Sequence, residues 1–244
     1  MSTNSPKEAP KSLVVASLNL WCFYDWEKRF PAIIKLLKEV NPDILVTQET
    51  QRNLSIDTRS SIEMINAELG YPHMIFAPAD IKLQQKGVIF EHPVEHGLGA
   101  LSKWPLTHEF IPLTKAIDDK EKRGVLECEI DVLGKKHSIM NVHFSNSDER
   151  AENHFKETLR TAAERGNNSI LSGDFNIFNI EKYKALYGDQ YVSSSESYAY
   201  VSYPDDQASF DYILIPKNYS FENFECREEY VSDHRMIVAK IKLP

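Results

Sequence analysis

The chain has 244 residues, of which 42% are apolar and 26% are charged. This composition is typical of a compact protein with one large core and excludes general disorder. The net charge of −8 and the absence of a dense Lys/Arg run disfavour tight non-specific binding to nucleic acid, although a bound cation can make one cleft of an acidic protein locally positive.

The three cysteines, Cys22, Cys128 and Cys226, are far apart in sequence. Their odd number excludes a complete disulfide framework, and they lack the paired spacing of a zinc site. Residues 1–11 contain no apolar run, so they are neither a secretory signal nor a membrane span. We expect this segment to be a disordered tail, residues 12–244 to form a single domain, and the protein to be a cytoplasmic monomer without a transmembrane segment.

The first third of the chain alternates between strand and helix patterns. The pattern predicts a strand at 14–20, a helix at 26–40 that Asn41 and Pro42 end, a strand at 44–49, and a helix that ends at Gly70. Short apolar runs then follow at 73–77, 86–90, 99–102, 107–113, 125–132 and 138–144. Because turn residues separate these runs, they predict an antiparallel meander.

The last part of the chain returns to helix. It contains a predicted helix at 148–165, a strand at 169–172, a short helix at 180–187, and strands at 210–215 and 236–241. Many short strands with several helices, without strict alternation, predict an α+β fold. We expect two packed mixed sheets, mostly antiparallel and flanked by helices, as a four-layer α/β/β/α sandwich rather than a doubly wound parallel sheet.

Polar and ionisable residues recur where the predicted strands begin or end. These residues are Asn19, Glu49, His143, Asp174, Asn176, Asp211, Asp233 and His234. Such groups are costly to bury unless they are paired or bound to a cation. Their recurrence at so many strand ends predicts that they converge on one site.

Each of these signals alone also has a purely structural interpretation. Asn19 could bond the backbone, Glu49 could be a solvated strand end, and His143 could be a structural histidine. The GDFN segment at 173–176 could be an Asx turn, and the SDH triplet at 232–234 could be a turn before a strand. Only their conjunction favours a functional site.

The motifs SLN, TQE, NVHF, GDFN, SFDYIL and SDH occur in the order found in the endonuclease/exonuclease/phosphatase family. The segment GALSKWP at 99–105 is also similar to one in that family. The resemblance runs from about residue 13 to residue 243, which leaves little room for a second domain. No single motif is specific, but six in order over nearly the whole chain identify the chain as resembling a phosphoester hydrolase with a deoxyribonuclease-like fold.

Phosphoester hydrolysis explains the residue types. A phosphodiester is anionic and repels hydroxide, so a hard cation must neutralise its non-bridging oxygens, and such cations prefer oxygen ligands. Asn19 and Glu49 supply oxygen ligands. The oxygen-rich set favours magnesium, or manganese, over zinc.

The resemblance also implies individual roles. Asp174 would activate or orient the attacking water, and Asn176 would position it. His234 would contact the scissile phosphate with its ring held by Asp211, a pairing that fixes the tautomer and raises basicity. His143 would bond a phosphate oxygen or assist the leaving group, and Asp233 would lie near the metal.

Substrate choice is expected to come from loops near this site. Trp21, Phe23, Tyr24 and Trp26 follow Asn19, and Tyr198, Tyr200 and Tyr203 precede Asp211. In each loop the rings could stack on a nucleobase or sugar, or they could cover neighbouring structure. We consider Trp21 and Arg123 as substrate-binding residues, although an exposed arginine in a charged loop is the commoner case.

The sequence departs from the DNA-repair branch of the family. That branch has an Arg-Ile pair before its equivalent of Asp211 and a Trp before its first Asn, whereas this chain has Ser209 and Phe210, and Leu18. An abasic-site nuclease is therefore less expected. We predict a metal-dependent phosphodiesterase or nuclease. The alternatives are a lipid-headgroup or small-molecule phosphoesterase, similar to a sphingomyelinase or a phosphatase, and a non-catalytic binding module of the same fold.

Overall fold

The computed structural model describes residues 10–117, 119–166 and 168–244. Most of the predicted N-terminal tail, residues 1–9, lies outside the described residues. The twelve strands found in them are β1 (Ser12–Asn19), β2 (Ile44–Arg52), β3 (His73–Gln85), β4 (Val88–Ser102), β5 (Leu106–Pro112), β6 (Gly124–Val132), β7 (Lys135–His143), β8 (Ser169–Asp174), β9 (Tyr191–Ser193), β10 (Asp211–Pro216), β11 (Ser220–Cys226) and β12 (Ile237–Lys242).

The helices are α1 (Trp26–Val40), α2 (Ser61–Leu69), α3 (Asp148–Glu164), α4 (Lys184–Tyr187) and α5 (Ser194–Ser197), with 3-10 turns at Ile180–Tyr183 and Pro204–Asp206. Helix α2 begins with a capping box between Ser60 and Glu63 and ends at Gly70 in the left-handed region. Among the described residues, no helix combines the length and the apolar character needed to cross a membrane.

The strands form two six-stranded sheets. The first has the order β11-β12-β1-β2-β4-β3 and the second has the order β5-β6-β7-β8-β10-β9. Each sheet contains one parallel pair, β1 with β2 and β7 with β8, and the other pairings are antiparallel. The prediction of two mixed, mostly antiparallel sheets is confirmed.

Three apolar clusters hold the layers together. The first lies between the sheets and includes Val15 and Val46 from one sheet and Ile139 and Ile170 from the other. The second lies between the second sheet and α3, and the third lies between the first sheet and helices α1 and α2. This order is the expected four-layer sandwich, in which apolar burial stabilises each contact by roughly 25 cal/mol per Å².

The predicted meander differs from the structure in two respects. It is divided between the sheets, since β3 and β4 belong to the first and β5 to β7 to the second. In addition, residues 86 and 87 form the turn between β3 and β4, whereas residues 88–90 and 99–102 of two predicted runs belong to one long strand, β4, which passes through Gly97. A Cβ atom there would lie 2.1 Å from the carbonyl oxygen of Ala77, so this glycine permits close strand approach rather than a turn.

Candidate active site

Three neighbouring strands of the second sheet place three of the predicted residues side by side. His143 on β7 pairs with Asp174 on β8, which in turn pairs with Asp211 on β10. Gly173 precedes Asp174 with φ +147°, and a Cβ atom there would lie 2.1 Å from the carbonyl oxygen of Val142. Only glycine fits this position, so the alignment of His143, Asp174 and Asp211 depends on a residue without a functional side chain.

Asp211 and His234 form a buried ion pair. Nδ1 of His234 lies 2.8 Å from Oδ2 of Asp211, and the same oxygen accepts a hydrogen bond from Ser202 Oγ at 2.7 Å. Burial opposes the charge of His234, but Asp211 and Asp174 outweigh it and raise its pKa to about 10. His234 is therefore an imidazolium at neutral pH whose Nε2 side faces Asp174.

Asp174 lies at the centre of the cluster. Its Oδ2 accepts a hydrogen bond from Asn19 Nδ2 at 3.0 Å and lies 3.5 Å from His143 Nε2 and 3.8 Å from His234 Nε2. Burial, opposed by His234 and reinforced by Asp211, raises the pKa of Asp174 to about 7. A carboxyl group with this pKa can accept or donate a proton near neutral pH.

Arg123 approaches the cluster from the other side. Its guanidinium lies 2.7 Å from His143 Nε2 through Nη1 and 2.9 Å from Glu121 through Nη2. Because a guanidinium only donates, Nε2 of His143 accepts this bond, and the ring proton sits on Nδ1. Burial and the charge of Arg123 hold the pKa of His143 well below its ordinary value. Arg123 is 8% exposed, so its interpretation as a solvent-exposed loop residue is wrong.

Glu49 enters the site from a distortion of the first sheet. The pairing of β2 with β4 shifts between Thr47 and Thr50, and Glu49 adopts φ +50°. Such a bulge redirects a side chain, and the strained backbone costs about 1–3 kcal/mol. Burial alone would raise the pKa of Glu49, but His96 and a hydrogen bond from the Cys22 thiol at 2.9 Å help to lower it. The carboxylate is therefore ionised at neutral pH.

The other two residues predicted near a metal lie close to these groups. Asp233 is half-buried, and burial together with the nearby Glu49 carboxylate raises its pKa. The side chain of Asn19 bridges the sheets, since Nδ2 donates to Asp174 while Oδ1 accepts a hydrogen bond from the backbone N–H of Trp21 at 2.9 Å. The amide oxygen keeps one lone pair for a further partner.

These groups surround one cleft of about 1160 Å³. Of the ten predicted site residues, eight line it: Trp21, Glu49, Arg123, His143, Asp174, Asn176, Asp233 and His234. Asn19 and Asp211 lie behind the surface and bond to lining residues. Asn176 has φ +50°, donates from its backbone N–H to Asp174 Oδ1 at 2.9 Å and from Nδ2 to the Phe144 carbonyl at 3.0 Å. The structure therefore brings all ten together.

The two aromatic loops each divide between cleft and core. Trp21 and Tyr24 line the cleft, whereas Phe23 and Trp26 pack beneath α1. Tyr203 also lines the cleft, with its ring 4.8 Å from that of His234. Tyr198 and Tyr200 pack against the core between the sheets. One ring pair and one tyrosine are thus available to a substrate.

Several residues of the site were not predicted from the sequence. Ser202 holds Asp211, and buried His96 lies beside Glu49. Asn141 joins the two sheets, because Nδ2 donates to the carbonyl oxygens of Thr47 and Gly99 and Oδ1 accepts from Gln48 Nε2 at 2.7 Å. The polar Asn141 in the apolar run SIMNVH was the available signal, whereas Ser202 and His96 lie in segments without a motif.

Solved structures resemble this fold closely. An endonuclease/exonuclease/phosphatase from Beutenbergia cavernae is 19% identical with a TM-score of 0.76, covering 96% of this chain and 72% of its own. A Bacteroides thetaiotaomicron mannosyl-6-phosphatase is 18% identical (TM-score 0.69, 94% and 99% covered). D. rerio TDP2, complexed with a single strand DNA product, is 14% identical (TM-score 0.69, 95% and 99% covered). These identities establish the fold alone.

The sequence itself supplies the assignment. No curated protein matches it, but the profile of the Endonuclease/Exonuclease/phosphatase family matches residues 16–234. This range begins in β1 and ends at His234, so it includes every strand that contributes a predicted site residue. The chain therefore belongs to the Endonuclease/Exonuclease/phosphatase family.

Proposed function

We propose that residues 12–244 form one catalytic domain that hydrolyses phosphoesters with the help of a divalent cation. One observation carries the proposal: Asp174 has a pKa of about 7 and lies within 4 Å of two histidines, in the cleft that Glu49 also lines. Groups with such shifted pKa values concentrate at functional sites. A binding module of the same fold would not need this arrangement.

The donor groups fit magnesium. Glu49 and Asp233 are carboxylates close enough for the first to raise the pKa of the second, and a cation between them would remove that repulsion. Together with the free lone pair of the Asn19 oxygen they would hold Mg²⁺ with most of its water retained, and manganese accepts the same ligands. When bound, the cation would neutralise charge on the non-bridging phosphate oxygens.

Asp174 would accept the proton of the attacking water. Its Oδ2 faces the two histidines, and its Oδ1 is held by the backbone N–H of Asn176. A base with a pKa near the working pH combines availability with proton affinity. Asn176 fixes the carboxylate, and its own side chain lines the cleft where the water would lie.

His234 and Arg123 would bind the phosphate. His234 is a buried cation fixed by Asp211 at 2.8 Å, and Arg123 has a buried Nε without a hydrogen-bond partner. Both present N–H groups to a position where an anion is favoured. His143, whose Nε2 is held by Arg123, would orient that guanidinium, which differs from the phosphate contact expected from the resemblance.

The walls of the cleft favour a compact substrate. The tip of the β3–β4 hairpin reaches the first aromatic loop, because Lys86 Nζ lies 4.5 Å from the Tyr24 ring centroid and Gln85 Nε2 donates to Cys22 Sγ at 3.3 Å. Acidic residues such as Asp80, Asp148 and Asp206 also line the cleft. We therefore propose a small phosphoester that carries a ring, for which Trp21 and Tyr203 provide stacking surfaces.

The second candidate is the end of a single-stranded nucleic acid, because the same exposed rings can stack on a nucleobase. Long duplexes are disfavoured by the net charge of −8. Phosphate esters of lipid headgroups present the same phosphate group, so they are included in the substrate assay below.

The test measures hydrolysis of sugar phosphates, nucleotides, single-stranded DNA and RNA, abasic duplex DNA, sphingomyelin and phosphoinositides with magnesium or with a chelator. We expect chelator-sensitive turnover of at least one compact substrate, which Asp174→Asn reduces by about 10²–10⁴-fold. Asp206→Asn is the matched control, since it removes a carboxylate from the same cleft away from the cluster. Absence of chelator-sensitive activity on all substrates would support the binding module.

A further inference from the structure

Beside the proposed magnesium ligands lies a group of softer donors. The Cys22 sulfur, a carboxylate oxygen of Glu49 and a ring nitrogen of His96 all lie within 4.8 Å of one another. Cys22 follows β1 and has φ +50°, Glu49 sits at the β2 bulge, and His96 lies on β4 opposite Gln51. The distorted backbone of the first two residues turns both side chains toward the histidine.

The ring of His96 is buried beside Glu49 with one nitrogen unsatisfied. It is 3% exposed, and its Nε2 has no hydrogen-bond partner. An unsatisfied buried nitrogen costs about 1–3 kcal/mol, and such groups in folded proteins call for a ligand, ion or function. A neutral imidazole nitrogen of this kind is a common metal ligand.

We propose that Cys22, Glu49 and His96 form a zinc-binding site that shares Glu49 with the magnesium site, so that zinc inhibits the enzyme. Thiolate and imidazole select zinc over magnesium, and three protein ligands plus one water complete a tetrahedral site. Zinc binding does not depend on the proposed function, whereas the inhibition rests on it. A carboxylate held by zinc is removed from the magnesium ligands.

The geometry requires only small movements. Ligand atoms of a tetrahedral zinc ion lie about 3–4 Å apart, so the three groups need to shift by about 1 Å. A cysteine binds zinc as the thiolate, so the thiol proton passes to solvent as the S–Zn bond forms.

Gln85 supports the sulfur. Its Nε2 donates to Cys22 Sγ at 3.3 Å, and its Oε1 accepts a hydrogen bond from Gln51 Nε2 at 3.0 Å. A donor held in this way stabilises a thiolate and directs it. Gln85 and Glu49 both line the cleft, which gives the ion a route to the site.

The binding test uses Co²⁺ as a spectroscopic probe for zinc on the full chain. We expect a thiolate-to-cobalt absorption band that one equivalent of zinc removes. Cys22→Ser should abolish the band and His96→Gln should weaken cobalt binding, whereas the matched control Cys226→Ser should keep both. Absence of the band in the wild type, or its survival in Cys22→Ser, would overturn the site whether or not the protein hydrolyses phosphoesters.

The inhibition test titrates zinc at several fixed magnesium concentrations. We expect more magnesium to restore activity, and Cys22→Ser to raise the zinc concentration for half-inhibition by about tenfold or more relative to Cys226→Ser. Zinc inhibition that does not change with the magnesium concentration would refute the sharing of Glu49. Turnover supported by zinc without magnesium would refute it as well. If no substrate is turned over, the proposed function fails while the cobalt measurement still decides the zinc site.

Discussion

Replacement of Asp211 by asparagine should lower the pKa of His234, because it removes the carboxylate that stabilises the charged ring. The carboxylate lies 2.8 Å from His234 Nδ1 and is a main cause of the raised pKa of about 10. An opposite charge at this distance shifts a pKa by about 1–3 units, equivalent to roughly 1.4–4 kcal/mol. We expect Asp211→Asn to lower the pKa of His234 by that amount.

The effect on stability has a defined sign. A histidine whose pKa is raised from 6.5 to about 10 by folding stabilises the protein fully below pH 6.5, and this stabilisation is lost as the pH rises through 10. Removing the partner of a buried pair costs about 3–5 kcal/mol. The destabilisation of Asp211→Asn should therefore be largest just below pH 6.5, while the carboxylate is still ionised, and small above pH 10.

Two measurements check this prediction. The titration of His234, assigned with His234→Gln, is followed by NMR, and the free energy of unfolding is measured by urea denaturation across the pH range. Asp206→Asn removes the same formal charge from the cleft without a contact to His234 and serves as the control. An unchanged His234 titration in Asp211→Asn, or equal destabilisation at low and high pH, would refute the electrostatic reasoning.

Three further predictions concern the residues that support the site and the pH dependence of its activity. Gly173→Ala should lower the free energy of unfolding by more than about 2 kcal/mol, because its Cβ would meet the Val142 carbonyl oxygen. Gly134→Ala, also at positive φ but in open space, should lower the free energy of unfolding by less in the same urea denaturation. Equal decreases for the two variants would contradict the steric argument. Asn141→Leu should lower the free energy of unfolding by about 1–3 kcal/mol for each polar partner left unsatisfied. Asn223→Leu, at an exposed position, should leave the free energy of unfolding nearly unchanged. Similar urea midpoints for the two variants would show that the hydrogen bonds of Asn141 between the sheets are dispensable. Since Asp174 with its pKa of about 7 must be ionised to accept a proton, kcat/KM should fall as the pH drops through 7, and more magnesium should move this limb to lower pH because a cation favours the carboxylate; a flat pH–rate profile would exclude Asp174 as the base.

Much of the architecture was accessible from the sequence because burial leaves a periodic pattern. Helix α1 was predicted with its observed bounds, since its apolar residues recur at helical spacing and Asn41 ends it. Strand β11 was missed because Phe224 is its only buried residue. The second half of β3 was also missed, since both of its faces are largely exposed there and no alternation results.

The candidate site shows the same division. Asp174, at the end of β8, and Glu49, at the end of an apolar run within β2, were predictable because charged groups beside buried strands are costly unless they are paired or bound. Cys22 and His96 were not, because sequence spacing does not report a proximity that arises from a bulge in β2 and positive φ at Cys22. The interpretation of the cysteines from their sequence spacing thus overlooked the cluster of Cys22, Glu49 and His96, which forms only in the folded chain.

The position of β12 has a consequence for biosynthesis. This strand lies between β1 and β11, so the first sheet stays split until residues 237–242 have left the ribosome, although most of its strands emerge long before. His234, which contacts Asp211 and Asp174, lies three residues upstream of this strand. A nascent chain therefore exposes an unpaired edge of β1 throughout most of its synthesis, and unpaired strand edges favour aggregation.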